Sequence, residues 1–196
     1  MPSSHCDDWF EAAWAEREDG VYARDFGYLG PGIYPLDTDV FKRLGGTAVD
    51  PRWLTIGAFE SPPNEGRNNW VYVTSGLSNA WEAETPDPTA WSGLGFEFLI
   101  QCKSQSAWAL ALVRNLAAYQ LMLATDQLGE REPLGFWDRT GVGASIDFEQ
   151  SAMKALLFVP APNFSGVRQI ASGKFEYLQA VGLTPEEHAY GRKKWL

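Results

Sequence analysis

The stretch that decides the fold runs from Asn68 to Cys102 and reads NNWVYVTSGLSNAWEAETPDPTAWSGLGFEFLIQC. Its two ends, Trp70–Thr74 and Phe96–Ile100, are rich in aromatic and β-branched residues, the composition of half-buried β-strands. The segment between them contains Pro, Asp, Trp and Gly and is too long for a tight hairpin turn. Because long loops are uncommon in compact domains and often functional, the stretch predicts two strands that flank a functional loop.

Further strands and helices are predicted on both sides of this stretch. Leu94–Lys103 carries apolar residues on both faces, which is typical of a strand in the middle of a sheet. The other predicted strands are Trp53–Glu60, Trp70–Gly76, Ile146–Phe148, Met153–Val159, and a hairpin of Val167–Ala171 with Phe175–Val181. The predicted helices run from a cap at Ser3 or Ser4 to Gly20, over Asp37–Leu44, from Ser104 to about Gly129, and from Thr184 onward.

These elements predict one α+β domain spanning residues 1–196. Its core is a mainly antiparallel or mixed β-sheet packed against helices. The chain has 196 residues, of which 45 % are hydrophobic, enough for a sizeable core. The sequence contains no internal repeat, low-complexity tract or clear linker.

Charge restricts the class of partner. The formal net charge is -9, and an acidic surface argues against nucleic acid or an anionic membrane as the main partner. The same charge is compatible with a basic protein partner, and equally with a role in solubility alone. The apolar run Ala107–Ala124 is interrupted by Arg114, Asn115 and Gln120, which predicts a buried helix and not a membrane span.

Cysteine usage and the N-terminus indicate the compartment. Cys6 and Cys102 are far apart and show no CxxC motif, so a reduced, cytoplasmic environment is expected. The N-terminal residues lack the basic start and apolar core of a signal peptide.

The residues required for catalysis are scarce. Ser75 follows a predicted strand but lies in no GxSxG elbow, and the only histidines are His5 and His188, near the two ends of the chain. Gly93 and Gly95 are not followed by a helix start, so they form no nucleotide fingerprint. We therefore expect no catalytic residue, no metal site and no cofactor.

Glu97 is the one acid inside a predicted central strand. A charge at such a position must be paired or hydrogen-bonded. Two interpretations remain open: Glu97 faces solvent and meets a basic residue of a neighbouring strand, or it anchors the long loop by accepting backbone N–H bonds.

The order of these motifs resembles the Suppressor of fused domain, over about residues 35–195. The similar pieces are Pro35-Leu36-Asp37, the run Trp70 to Ser78, Ser92-Gly93-Leu94-Gly95-Phe96-Glu97-Phe98, the helix from Trp108 to Tyr119, and the run Phe175 to Glu187. The paired GLS and SGxGFE runs at this separation carry most of the likeness.

The resemblance implies a non-enzymatic domain that binds a protein or peptide. Animal members clamp a peptide of a transcription factor between two domains, whereas bacterial members stand alone and include immunity proteins that neutralise toxins. It implies here a bacterial immunity protein whose partner is a basic toxin domain. A hydrolase using Ser75 or Glu97 and a structural homodimeric scaffold are the alternatives, and the oligomeric state is left as monomer or homodimer.

The loop is the expected contact surface. Its candidate partner-binding residues are Trp81, Asp87 and Trp91, together with Trp137 from a later loop. The competing interpretation is that these indoles only cover the sheet. Gly93, Gly95 and Glu97 are the candidate loop-anchoring residues.

Overall fold

The computed structural model describes residues 5–193, with the side chains of residues 9–190. The helices are α1 (His5–Ala15), α2 (Ala23–Phe26), α3 (Thr38–Arg43), α4 (Ala107–Ala124) and α5 (Pro185–Lys193), with a π-helical segment at Glu16–Tyr22 and 3₁₀ turns at Pro51–Thr55 and Pro162–Phe164. The strands are β1 (Tyr34–Pro35), β2 (Gly57–Ser61), β3 (Trp70–Ser75), β4 (Trp91–Cys102), β5 (Arg139–Gly141), β6 (Ala155–Pro160), β7 (Arg168–Ile170) and β8 (Gly173–Leu183).

Within residues 5–193 the strands form one eight-stranded sheet. Its order is β1-β2-β3-β4-β8-β6-β5, and β7 pairs with β8 beside this path. All neighbours are antiparallel except β4 and β8, which run parallel. The mixed, mainly antiparallel sheet and the central position of β4 confirm the predicted fold class.

Each face of the sheet buries its own core. On one face α4 and α3 pack on alternate residues of the strands, such as Tyr72 and Phe98. On the other face the N-terminal helical segments bury Tyr22 and Phe26 against Val73 and Leu99. The alternation of β3 and the two apolar faces of β4 therefore follow from burial on both sides.

Helix α4 is the core helix. By length and composition it is apolar enough to cross a membrane, with a mean hydropathy of 1.2, and is the one such helix among the described residues. Buried core helices of globular proteins have the same composition, and 56 % of this helix is buried inside the fold. The prediction of a buried helix is confirmed, although it ends at Ala124 and not near Gly129.

Two predictions near the N-terminus are wrong. The first helix does not end by Gly20, because a π-helical segment carries it on to Phe26 so that Tyr22 and Phe26 are fully buried. The segment Trp53–Glu60 is a strand only in its second half, since Asp50 caps a 3₁₀ turn that begins at Pro51. The predicted caps Ser3 and Ser4 lie outside the described residues.

Other predictions near the C-terminus have mixed outcomes. Ile146–Phe148 is a turn and not a strand, because the Asp147 carboxylate accepts the backbone N–H groups of Glu149 and Ser151. The hairpin of β7 and β8 is confirmed. So is the capping box, in which Thr184 and Glu187 exchange hydrogen bonds of 2.8 and 3.3 Å.

Candidate functional site

Glu97 lies in the middle of β4 on the face covered by the N-terminal helix, and it is fully buried. Its carboxylate accepts five hydrogen bonds. Three come from consecutive backbone N–H groups, those of Gly76 (3.0 Å), Leu77 (3.3 Å) and Ser78 (2.9 Å). The other two come from the hydroxyls of Thr74 (2.7 Å) and Ser78 (2.6 Å). Glu97 therefore anchors the start of the loop, and the solvent-facing interpretation is wrong.

The backbone after β3 is shaped to surround this carboxylate. Gly76 has φ of +121°, a conformation that a residue with a Cβ rarely adopts. The turn directs successive N–H groups to one point, which is the arrangement that binds anions in backbone nests. Thr74 completes the site around the carboxylate. Its hydroxyl accepts a hydrogen bond from the backbone N–H of Phe98 at 2.8 Å and donates one to Glu97.

Arg17 supports the same turn from the π-helical segment. It is only 1 % exposed, and its guanidinium donates to the hydroxyls of Ser75 (3.0 Å) and Ser78 (3.2 Å) and to Oδ1 of Asn79 (2.7 Å). Ser78 thus links Arg17 to Glu97, since it accepts from the guanidinium and donates to the carboxylate. The positive charge of Arg17 and the negative charge of Glu97 are connected through one hydroxyl.

Glu18 is the second acid of this cluster. Its Oε1 accepts from the Ser75 hydroxyl at 2.6 Å and from the indole of Trp14. Burial raises the pKa of Glu18 above its ordinary value of 4.5, although the hydrogen bond from Ser75 and the charge of Arg17 oppose the rise.

The raised pKa gives a signed pH dependence. Between the unfolded pKa near 4.5 and the higher folded pKa, the folded protein binds more protons, so this group makes the free energy of unfolding fall as pH rises. We expect wild type to lose stability relative to Glu18→Gln as the pH rises from about 4.5 through the higher folded pKa of Glu18. Urea denaturation at several pH values measures it. Glu149→Gln, on an exposed turn, is the control, and a pH-independent difference for Glu18→Gln would contradict the assignment.

The far end of the loop is fastened to its beginning. The Ser92 hydroxyl donates to the backbone carbonyl of Ser78 at 2.7 Å, and the Leu94 N–H donates to the carbonyl of Leu77 at 2.9 Å. Gly93 passes so close that a Cβ there would lie 2.5 Å from the carbonyl oxygen of Asn79. The two ends of the loop therefore form one packed unit, with Gly93 at the closest approach.

The middle of the loop has its own order. Asp87 accepts the backbone N–H of Thr89 at 2.8 Å and its hydroxyl at 2.7 Å, and these bonds lower the pKa of the Asp87 carboxyl. The side-chain amide of Gln169 donates to the carbonyl of Pro88, and the backbone N–H of Lys174 donates to the carbonyl of Ala90. The loop is therefore held against the hairpin of β7 and β8.

Two of the predicted indoles share a surface hollow. Trp81 and Trp91 both line a hollow of about 470 Å³ beside the end of α4. Trp91 is 55 % exposed, whereas Trp81 is half-buried. The ring centroids of Trp81 and Phe10 are 4.4 Å apart, and the Arg52 guanidinium carbon lies 5.8 Å from the ring centroid of Trp81. The structure thus brings these two predicted residues together.

The other two predicted residues lie outside this hollow. Asp87 is exposed on the loop and does not line it. Trp137 is 67 % exposed next to β6, where its backbone N–H donates to the carbonyl of Phe158 at 2.6 Å. Their role in partner binding stays a prediction.

Sequence reasoning missed Arg17 and Asn79. One signal for Arg17 was available, because it lies four residues after Ala13 and four before Val21, both buried on the same helical face. A charge on an apolar stripe must find polar partners. Asn79 had no such signal, since its neighbours in sequence do not predict what packs against it.

The arrangement offers little to a hydrolase. Ser75 and Glu97 are 1 % and 0 % exposed, and the Ser75 hydroxyl is already held by Arg17 and Glu18. Over the part of the chain that the structure describes, no group of three His, Cys, Asp or Glu residues is placed to hold a metal ion. The geometry instead orders a surface loop.

Fold and site together define an α+β domain in which a buried acid at the centre of a mixed sheet holds an ordered loop that ends at the exposed Trp91. The chain belongs to the Suppressor of fused family: the family model described as Suppressor of fused protein (SUFU) matches residues 51–195. Members of this family are generally non-enzymatic binding modules. The resemblance inferred from the sequence is confirmed.

Solved structures share the fold at low sequence identity. A putative SUFU homologue from Neisseria gonorrhoeae FA 1090 has a TM-score of 0.60 and 14 % identity over 95 % of this chain and 83 % of its own. A chain of the Sufu–Fu complex has a TM-score of 0.57 and 21 % identity over 94 % of this chain and 79 % of its own. Drosophila Suppressor of Fused gives a TM-score of 0.49 at 20 % identity, and the match spans only 34 % of that longer chain. None of the curated proteins compared matches the chain.

Proposed function

We propose that this protein is a non-enzymatic protein-binding module that presents the loop between β3 and β4 to a protein partner. The observation that carries the proposal is the loop itself: Glu97 and Ser92 hold its ends, while Trp91 remains 55 % exposed. Half-exposed indoles on a preorganised backbone are typical centres of protein interfaces. The solved Sufu–Fu complex supports this class of function, because it contains a relative with the same fold.

We propose further that the partner is basic and that the protein is a cytoplasmic bacterial immunity protein. Residues 81–91 contain three acids and no basic residue, in a chain with a net charge of -9. Acidic surfaces accelerate association with basic partners and disfavour acidic ones. The likeness to a bacterial homologue of the same fold supports a bacterial setting. A basic toxin domain is the partner that this combination favours.

Neither alternative has a specific observation in its favour. A hydrolase would need Ser75 or Glu97 to meet a substrate, and both side chains are buried with their oxygens already bonded. Sedimentation equilibrium distinguishes a homodimeric scaffold from a monomer, because the dimer would have twice the monomer mass of 21.8 kDa.

The proposal predicts a selective loss of binding in Trp91→Ala. We expect the variant to stay folded, because Trp91 is more than half exposed, and to recover its partner at least about tenfold less well, as for a typical interface hot spot. Affinity capture from the source bacterium, quantified by mass spectrometry, measures this, with circular dichroism as the folding check. Tyr28→Ala is the matched control, since Tyr28 is 69 % exposed but does not line the hollow with Trp91.

Two outcomes would count against the proposal. Equal recovery by Trp91→Ala and Tyr28→Ala would remove the loop from the interface. A toxin neutralised by this protein must harm cells that lack the protein and spare cells that contain it. A captured partner that is harmless when expressed alone would therefore contradict the proposed immunity function.

A further inference from the structure

Two residues that line the hollow beside the loop carry buried hydrogen-bond donors with no acceptor among the described residues. Asn79 is only 6 % exposed, and its Oδ1 is occupied by Arg17, but its Nδ2 makes no hydrogen bond to the described residues. The indole Nε1 of Trp81 is also buried without a partner among them. Both residues line the hollow. Arg17, which donates to Asn79, has a third buried donor without a partner among the described residues, Nη2.

These atoms specify the chemistry of a ligand. An indole N–H donates only, and the one acceptor of the Asn79 carboxamide is already used. A buried donor without an acceptor destabilises the fold, and an incoming oxygen that accepts from it would recover this loss. The hollow, about 470 Å³, falls within the usual size of ligand sites. The ligand must therefore bring a hydrogen-bond acceptor to Asn79 and Trp81.

The local charge decides between an anionic and a neutral acceptor. Arg52, the basic residue lining the hollow, is paired with Asp50 at 2.7 Å and with Glu82 at 2.9 Å. Behind Asn79, the charge of Arg17 faces the two acids Glu18 and Glu97. In both places the acids outnumber the guanidinium, so a carboxylate or phosphate would be repelled. A neutral carbonyl oxygen meets the same donors without this cost.

The rim of the hollow favours a cation next to that carbonyl. Trp91 lines the hollow and is 55 % exposed, and Glu82, whose side chain is 86 % exposed, lines the same hollow. Indole faces attract ammonium and guanidinium groups, and an adjacent carboxylate adds to the attraction. The wall also includes apolar side chains, such as Leu94 and Leu121, that suit an aliphatic stem.

We propose that this hollow binds an extended peptide segment of the partner, with a main-chain or amide carbonyl accepting from Asn79 and Trp81 and a neighbouring Lys or Arg side chain on Trp91. The proposal rests on the proposed protein-binding function and assigns it a subsite and a ligand chemistry. The recognised feature is a carbonyl beside a basic side chain. The donors of Asn79 and Trp81 select for a carbonyl acceptor. Trp91 and Glu82 select for a positively charged side chain next to it.

Titration with short peptides tests the subsite directly. The probes are acetyl-Ala-Lys-Ala-amide and its matched acidic counterpart, acetyl-Ala-Glu-Ala-amide, added to ¹⁵N-labelled protein. We expect the Nε1–H signal of Trp81 and the Nδ2–H₂ signals of Asn79 to shift saturably with the lysine peptide. The acidic peptide should bind at least about tenfold more weakly.

Two conservative variants separate the subsite from the fold. Trp81→Phe keeps an aromatic ring and removes the donor, and Asn79→Asp keeps the oxygen that Arg17 uses and replaces the donor by an acceptor. Each should weaken binding of the lysine peptide at least about fivefold. Trp108→Phe, which changes a half-buried indole outside the hollow, should leave that affinity unchanged.

The outcomes distinguish this proposal from the function on which it rests. Absent or unsaturable shifts at Trp81 and Asn79, or equal binding of the two peptides, would overturn the subsite and leave water as the acceptor of these donors. If capture of the partner still depends on Trp91 in that case, the binding function stands without this subsite. Saturable shifts together with partner capture indifferent to Trp91→Ala would support the subsite and overturn the loop as the interface.

Discussion

Replacing Glu97 by alanine is expected to lower the free energy of unfolding by about 3–5 kcal/mol, the range for removing one partner from a buried charged network. The variant would leave three backbone N–H groups and two hydroxyls without their acceptor at a fully buried position. Because domains of this size are stable by only about 5–15 kcal/mol, such a loss is a large fraction of the total.

Glu97→Gln separates the hydrogen bonds from the volume of the side chain. Glutamine keeps one acceptor oxygen, but its amide group would face N–H donors in either orientation, since each carboxylate oxygen accepts at least one backbone N–H. We expect a loss of about 2–3 kcal/mol, mostly the penalty for unpaired buried donors.

Urea denaturation followed by Trp fluorescence measures both Glu97 variants. Glu149→Ala, on an exposed turn, is the control and should stay within about 0.5 kcal/mol of wild type. A Glu97→Gln variant as stable as wild type would mean that the carboxylate does not hold the turn of Gly76 to Ser78.

Replacing Gly93 by alanine is the second large effect, and Gly95 provides its matched control. Both glycines lie in β4 with positive φ, +56° and +77°. A Cβ at Gly93 would lie 2.5 Å from the carbonyl oxygen of Asn79 and 2.6 Å from that of Leu77, whereas a Cβ at Gly95 would meet nothing closer than Trp91 at 3.4 Å. The two sites therefore share the backbone penalty and differ in steric room.

We expect Gly95→Ala to lose about 1–2 kcal/mol, the cost of the left-handed conformation for a residue with a Cβ. Gly93→Ala should lose at least about 3 kcal/mol, because overpacking against rigid backbone adds to that cost. Thermal and urea unfolding of the two variants measure the difference. Equal losses would show that the two loop ends separate easily, contrary to the fastening seen between Ser92 and Ser78.

Much of the fold was predictable from short-range patterns. The strand Trp70–Ser75, the hairpin of β7 and β8, and the capping box at Thr184 all follow from local composition and turn chemistry. The strand Trp91–Cys102 was predicted only from Leu94 onward. The first helix was predicted too short, because Gly20 normally ends a helix while here the burial of Tyr22 and Phe26 extends it. Tertiary packing outweighed local propensity at that point.

The candidate site was predictable only in part. The sequence placed Glu97, Gly93, Trp81 and Trp91 in one loop region, since they are close along the chain. Trp81 is covered by Phe10, which lies 71 positions earlier in the sequence. No local sequence pattern could therefore show which indole is covered. Trp137 likewise reads as a loop indole, but its position beside β6 is set by the order of the strands.

The sequence by itself determined the family, the two strands and the loop between them, because alternation, turn residues and the SGxGFE run are properties of neighbouring residues. The tertiary structure alone decided that Glu97 holds the loop and that Asn79 and Trp81 keep unpaired donors beside Trp91. The physical reason is that burial and hydrogen-bond pairing at these positions depend on Arg17 and the N-terminal helix, which pack against the loop from more than 50 residues away.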